Sequence, residues 1–324
     1  MRLDARILPT NDMRADADLI LLAERLGFAA AWVAEQAHNP FLSLTIAAKE
    51  TNRITLGAYR AAAFPRSPMV SAQVAWDLAR QSSGRFCLAL DAPESPGISH
   101  SRLREYIESL RAIWHTFQTG ERMRYRGQHY TFRLMAPFFN PGPIAHPDIP
   151  IYLCGLDPAV AELAGALCQG LHTGAIHSAD YISQVVKPAV SAGLQAAGRP
   201  ESDFSLAMPV MIASGLDDAG MAQARQRLKL CIARAATTAA FRQIAAHQDW
   251  ALASGGSDSG VREQDEARLT QLIPDELADE IAIVAPPHAV LERIQTRYAM
   301  IADRVSLLLS LENRALIEAI MAAS

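Results

Sequence analysis

The fold class that the sequence predicts is α/β: a closed (β/α)₈ barrel with insertions, of the TIM-barrel kind. Three observations predict it. Strand-like and helix-like segments alternate eight times along the 324 residues. Several of the strand-like runs are apolar on both faces, as a buried parallel sheet requires. No G-x-G-x-x-G follows the first strand, which weakens the open, doubly wound alternative and its dinucleotide site.

The elements follow in order. RLDARIL (2–8) is the first strand. Residues 14–26 carry Ala17, Leu19, Ile20, Leu22, Ala23 and Leu26 at helical spacing, and Gly27 closes that helix. FAAAWVAE (28–35) is the second strand, 40–51 a short helix, ITLGAYR (54–60) the third strand, and 68–82 a helix ending before Gly84. RFCLALDAPESPG (85–97) is a buried strand running into a polar, proline-studded loop, with a helix at 101–118. ERMRYRGQHYTFRLMA (121–136) reads as a hairpin turning at Arg126-Gly127. IPIYLCG (149–155) is the fifth strand, 158–168 a helix, GLHTGAI (170–176) the sixth strand and 179–197 its helix. DFSLAMPVMIAS (203–214) is the seventh strand and 217–247 one long helix. The polar run SGGSDSGVREQDE (254–266) reads as a flexible insertion. Helices at 274–281 and 286–299, RVSLLLS (304–310) as the eighth strand, and a helix at 312–322 complete the chain. One domain over 1–324 is expected, with a hairpin insertion near 121–148 and a helical, partly flexible one near 217–299.

Composition excludes several function classes. Net charge is −4 and the pI near 6.1, with no basic patch for nucleic acid. No apolar run approaches the ~18 residues of a membrane span. MRLDARILPT lacks a signal peptide's apolar core, so a soluble, cytoplasmic protein is expected. Cys87, Cys154, Cys168 and Cys231 show no paired spacing and read as structural thiols. His172, His177 and His146 lack suitably spaced carboxylates, so no metal site is expected.

In a barrel of this kind the active site lies at the C-terminal strand ends. That directs attention to residues 8–13, 35–40, 60–68, 91–100, 154–158, 174–178, 214–217 and 309–313.

Four stretches carry a family resemblance: AERLGFAAAWVAEQAHNPFLSLTIAA (23–48), RITLGAYRAAAFPRSPMVSAQVAWDLARQSSGRF (53–86), REYIESLRAIWHTFQTGERMRYRGQHYTF (104–132) and FFNPGPIAHPDIPIYLCG (138–155). AFPRSPMVSAQVAWDL is the most specific. On these residues the chain resembles the luciferase-like monooxygenase superfamily, closest to the branch of oxidoreductases that use the deazaflavin coenzyme F-420. The resemblance implies a barrel, usually dimeric, with a deazaflavin or FMN over the strand ends and a small organic substrate. A homodimer, or a heterodimer with a related chain, is expected.

The resemblance places His38, in EQAHNP, near the cofactor ring, where an imidazole of near-neutral pKa donates a hydrogen bond or shuttles a proton. The alternative is a loop histidine capping the helix that starts near Pro40. Glu35 either orients His38 or makes a structural pair. The resemblance also implies a backbone bulge under the ring at the third strand end, where Ala61 and Ala62 allow close approach. Arg66 is suited to a phosphate or a carboxylate, and Ser67-Pro68 equally to starting a helix.

Two stretches depart from the family. Asp91-Ala92-Pro93 replaces a glycine-containing turn, in a shortened loop. Gly155-Leu156-Asp157-Pro158 places a carboxylate where relatives have glycine or serine at a helix N-terminus, an anion site. Asp157 is suited to capping that helix, and beside a phosphate it would repel by about 1–4 kcal/mol. His177 completes the cofactor-side candidates, with a loop and helix-start role as its alternative. The implied function is hydride transfer with F-420 or FMN. The alternative is a cofactor-free relative: a non-catalytic subunit, a ligand-binding protein or a non-redox enzyme.

Overall fold

In a computed structural model of the chain, residues 1–91, 100–236, 238–248, 250 and 270–323 are described. Eight parallel strands close a barrel: β1 (Arg2–Ile7), β2 (Ala30–Ala34), β3 (Thr55–Ala62), β4 (Phe86–Asp91), β5 (Ile151–Cys154), β6 (Gly170–His172), β7 (Ser205–Pro209) and β8 (Arg304–Leu309). Each pairs with its neighbour in sequence, and β1 closes on β8, with Arg2 opposite Arg304 and Ile7 opposite Leu309. The outward-facing strand side chains pack under the helices in one core that includes Ile7, Val33, Leu56, Leu88, Leu153 and Leu307.

The loops that lead from strands into helices end in local caps. Asp12 accepts from the Arg14 and Ala15 amides to start α1 (Met13–Arg25). Asn39 and Pro40 start α2 (Pro40–Glu50), Ser67 and Pro68 start α3 (Pro68–Gln81), and Asp157 and Pro158 start α5 (Pro158–Leu167). Each cap satisfies an N–H group that the first helical turn leaves free, and proline at the first position loses no hydrogen bond. α4 spans His100–Thr119. Gly27 leaves α1 at φ +85°, a conformation open to glycine without strain.

The structure corrects the expected elements in the C-terminal half. Residues 203–214 are two strands: β7 leaves the barrel after Pro209, and Met211–Ala213 pairs in parallel with Ala282–Val284. The short run Ala282–Val284, between the helices expected at 274–281 and 286–299, carries no periodic signal of its own. The single long helix over 217–247 is two, Asp218–Ala235 and Ala239–His247, because Thr238 caps the second. These pieces form a small second core with Leu228, Ile232, Phe241 and Ile281. The 121–136 hairpin is present as Tyr125–Arg126 against Thr131–Phe132. The expected flexible segment 254–266 and most of the loop after β4 lie outside the described residues.

Candidate active site at the barrel mouth

Strand alternation aims Asp4 and Arg6 of β1, and Leu8 just beyond its end, into the barrel. At the base, Asp4 is fully buried and takes Arg304 on both oxygens, Nε and Nη2 each at 2.7 Å, and the Trp32 indole N–H at 2.9 Å. Burial pushes the Asp4 carboxyl above its ordinary value, opposed by the guanidinium and the indole. Gly57 stands beside Trp32 because a methyl there would run into the indole.

Above the ion pair lies a layer of rings. His172 sits edge-on to Trp32 at 4.3 Å and to Tyr59 at 5.1 Å, with Tyr152 at 5.4 Å. His172 is 1% exposed, and neither ring nitrogen has a hydrogen-bond partner. Burial, with Arg304 and Arg6 nearby, pulls its pKa down to about 3, so the imidazole is neutral. Burial also pushes Tyr59 up to about 12 and raises the Cys154 thiol, so neither is an ionised nucleophile near neutral pH. Arg6 reaches into this layer partly exposed, with its Nε buried and unpartnered.

The rim is built on the end of β3. Its register against β4 slips between Ala58 and Ala61, and Arg60 takes φ +55°. A left-handed non-glycine residue costs about 1–2 kcal/mol and persists only where its surroundings hold it. Two clamps do so. Arg60 donates from Nε and Nη2 to Asp91 at 3.2 and 3.1 Å. Glu35 accepts from the Ala62 amide at 2.9 Å and from both Arg66 nitrogens at 2.7 and 2.5 Å. Burial raises the Asp91 carboxyl, against the lowering by Arg60.

The structure brings Glu35, Ala61, Ala62, Arg66 and Asp91 together on one side of the mouth. For three residues it favours one of the alternatives left open by the sequence. Glu35 bonds Arg66 and the Ala62 amide and does not orient His38, which stands exposed on the loop after β2. Arg66 is committed to a protein carboxylate, so it is not a free phosphate ligand. His177 is fully buried, its Nδ1 2.8 Å from the Gly174 carbonyl oxygen and its ring 5.9 Å from Tyr298, and so it presents no surface to a cofactor. Gly155 and Asp157 lie beyond β5, and the Asp157 carboxylate accepts from the Ala159 amide at 2.7 Å. Among the described residues no group of three or more His, Cys, Asp or Glu is placed to hold a metal.

Sequence reasoning missed Arg6 and the inward setting of Tyr59 and His172, because it searched beyond the strand ends rather than along them; it reached Arg60 but not its pairing with Asp91. The signal was available. Arg6 shares a face with Asp4 and Leu8 by period two, and His172 stands within the GLH strand.

The buried neutral histidines predict a pH dependence. His172 (about 3) and His177 (about 4) lie below their unfolded value of 6.5. Below pH 6.5 the unfolded chain binds protons that the folded chain refuses, so stability is present above that pH and falls as acid is added, down to pH 3–4. Each site contributes at most about 1.4 kcal/mol per pH unit. Urea unfolding at pH 7 and pH 5 checks this, and H172F should flatten the slope.

A closed parallel barrel with a polar, strained mouth at its C-terminal face defines the class, a (β/α)₈ barrel carrying its candidate site where such barrels carry theirs. The luciferase-like monooxygenase family profile matches residues 1–304, and the chain belongs to that family. It is 32% identical over 315 residues to an uncharacterized protein of Mycobacterium tuberculosis, covering 94% of this chain and 92% of that one. It is 26% identical over 287 residues to 5,10-methylenetetrahydromethanopterin reductase of Archaeoglobus fulgidus, covering 85% and 83%. Its fold is similar to that of the coenzyme F420-dependent tetrahydromethanopterin reductase of Methanopyrus kandleri, with TM-score 0.78, 18% identity, and 100% and 97% of the chains covered. It is also similar to EDTA monooxygenase of Chelativorans sp. BNC1, with TM-score 0.70, 15% identity, and 99% and 93% covered.

Proposed function

We propose that the protein is a luciferase-like oxidoreductase that moves a hydride between a deazaflavin, or failing that FMN, and a small organic substrate. The observation that carries the proposal is the strained bulge at the end of β3, held by the Arg60–Asp91 and Glu35–Arg66 clamps over the barrel mouth. Family membership and the F420-dependent relatives support the same reading.

The rim fits a flat ring. Ala62 stands partly exposed at the rim and offers nothing larger than a methyl group, Glu35 fixes its amide, and Ala61 is buried in the core beneath it. The start of α5 does not fit a phosphate, because Asp157 already fills the capping position with a carboxylate. When bound, the ring supplies the two-electron chemistry. The chain's part is to seat the ring edge on Ala62, to hold or move a proton from His38, and to keep bulk water from the aromatic layer beneath. Fluorescence-quenching titration with F420 and with FMN tests the proposal. Saturable binding of one at micromolar or lower concentration is expected, and no binding of either by folded protein would overturn it.

A second reading rests on Asp157 and on the Arg60–Asp91 pair at the rim. Both put carboxylates near the route of a phosphorylated tail, as expected for a family member that has lost its cofactor.

A further inference from the structure

Four arginines reach the barrel interior and rim. Arg304 is paired with Asp4, Arg60 with Asp91 and Arg66 with Glu35. The Arg6 side chain makes no hydrogen bond or ion pair among the described residues, and its Nε is buried. A buried guanidinium N–H without an acceptor is costly, and native interiors rarely leave one so. A second observation lies beside it. His172 is buried with both ring nitrogens free of partners, and one of them carries a proton in the neutral ring. Arg6 and His172 are near enough for the guanidinium's charge to act on the imidazole, and Tyr59 feels the same charge. The phenol of Tyr59 adds a third polar group. The walls are the rings of Trp32, Tyr59 and Tyr152. This layer is therefore rich in donors, carries one uncompensated positive charge, and is flanked by flat apolar surfaces.

The geometry points to a substrate carboxylate seated on Arg6, the partly exposed member of this cluster, on the mouth side of the packed layer of His172, Trp32, Tyr59 and Tyr152. A carboxylate suits the Nε side of a guanidinium because two parallel N–H···O bonds form there. The inference rests on the proposed oxidoreductase reading, and it names that reaction's substrate as a small carboxylic acid. It also gives the unpaired Arg6 a reason to persist, since a site that must desolvate an anion keeps its cation unneutralised until the ligand arrives.

The test is calorimetric titration of the protein without cofactor, using benzoate and pyruvate as probes, benzamide as the neutral control and inorganic phosphate as the competing anion. Saturable binding of a carboxylate is expected, with benzamide at least tenfold weaker. R6M should weaken the carboxylate ten- to a hundredfold, and R6K should recover part of it. Without ligand, R6M should melt about 2 °C higher, because it removes a buried, unpaired donor; a merely structural Arg6 would give the opposite shift. The inference is overturned if folded wild-type protein binds no carboxylate, if R6M leaves the affinity unchanged, or if phosphate binds more tightly than the carboxylates. F420 and FMN titrated into R6M separate this inference from the function it rests on. Cofactor binding at wild-type strength with the carboxylate lost confirms the assignment of Arg6. Carboxylate binding with neither cofactor bound would remove the redox reading and leave the anion site standing.

Discussion

R304M is expected to lower the unfolding free energy by about 3–5 kcal/mol, the usual result of removing one partner from a buried ion pair. The size follows from where Asp4 lies. Its side chain is wholly buried, and Arg304 supplies two of its three hydrogen bonds. Without the guanidinium, the carboxylate must either stay charged in the barrel base or take up a proton. Burial already pushes its pKa upward, so proton uptake is the cheaper course. The loss should therefore shrink in acid. Chemical denaturation of wild type and R304M at pH 7 and pH 5 checks both statements. A second variant, R304M with D4L, should regain much of the loss, because an apolar pair of similar bulk needs no compensation there.

E35A is expected to weaken binding of the cofactor ring tenfold or more while costing about 2 kcal/mol of stability. Glu35 holds two things at once, the Ala62 amide and the Arg66 guanidinium. Its removal frees the end of β3 next to the strained Arg60, so the bulge loses one of its two clamps. R66M is the comparison. It breaks the ion pair and leaves the Glu35–Ala62 bond, so it should cost stability with a smaller loss of ring affinity. Equal effects of the two variants on ring binding would show that the Ala62 amide is not what positions the bulge.

The barrel was legible because its signals are local and repeated. Apolar strands, Asp12, Asn39, Ser67 and Asp157 at helix starts, and Gly27 at a helix end each act within a few residues. The cap at Asp157 was readable from the Asp-Pro pair alone. What the residues do across the barrel was not readable in the same way. Glu35 has Arg66 and Ala62 as partners 31 and 27 residues away, and Asp4 finds Arg304 at a separation of 300. Such pairs depend on closure of the sheet, which no local pattern encodes. His177 shows the converse. Its place after β6 suggested the mouth, but the chain turns it under Tyr298. The split of 203–214 into two strands depends on a distant partner, Ala282–Val284, that carries no signal of its own.

The central claim is that the mouth holds a deazaflavin or flavin ring on the β3 bulge, with the α5 N-terminus closed to phosphate. Affinities for F420 and for FMN, each beside the same ring without its phosphate (the deazaflavin riboside and riboflavin), test it most directly when measured on wild type and on D157S. The account predicts saturable binding of one ring type by wild type, with its phosphorylated and phosphate-free forms within about threefold in affinity, and tighter binding of the phosphorylated form, but not of the phosphate-free one, by D157S. If neither ring binds to either folded protein, the claim is contradicted and the mouth serves chemistry without such a cofactor.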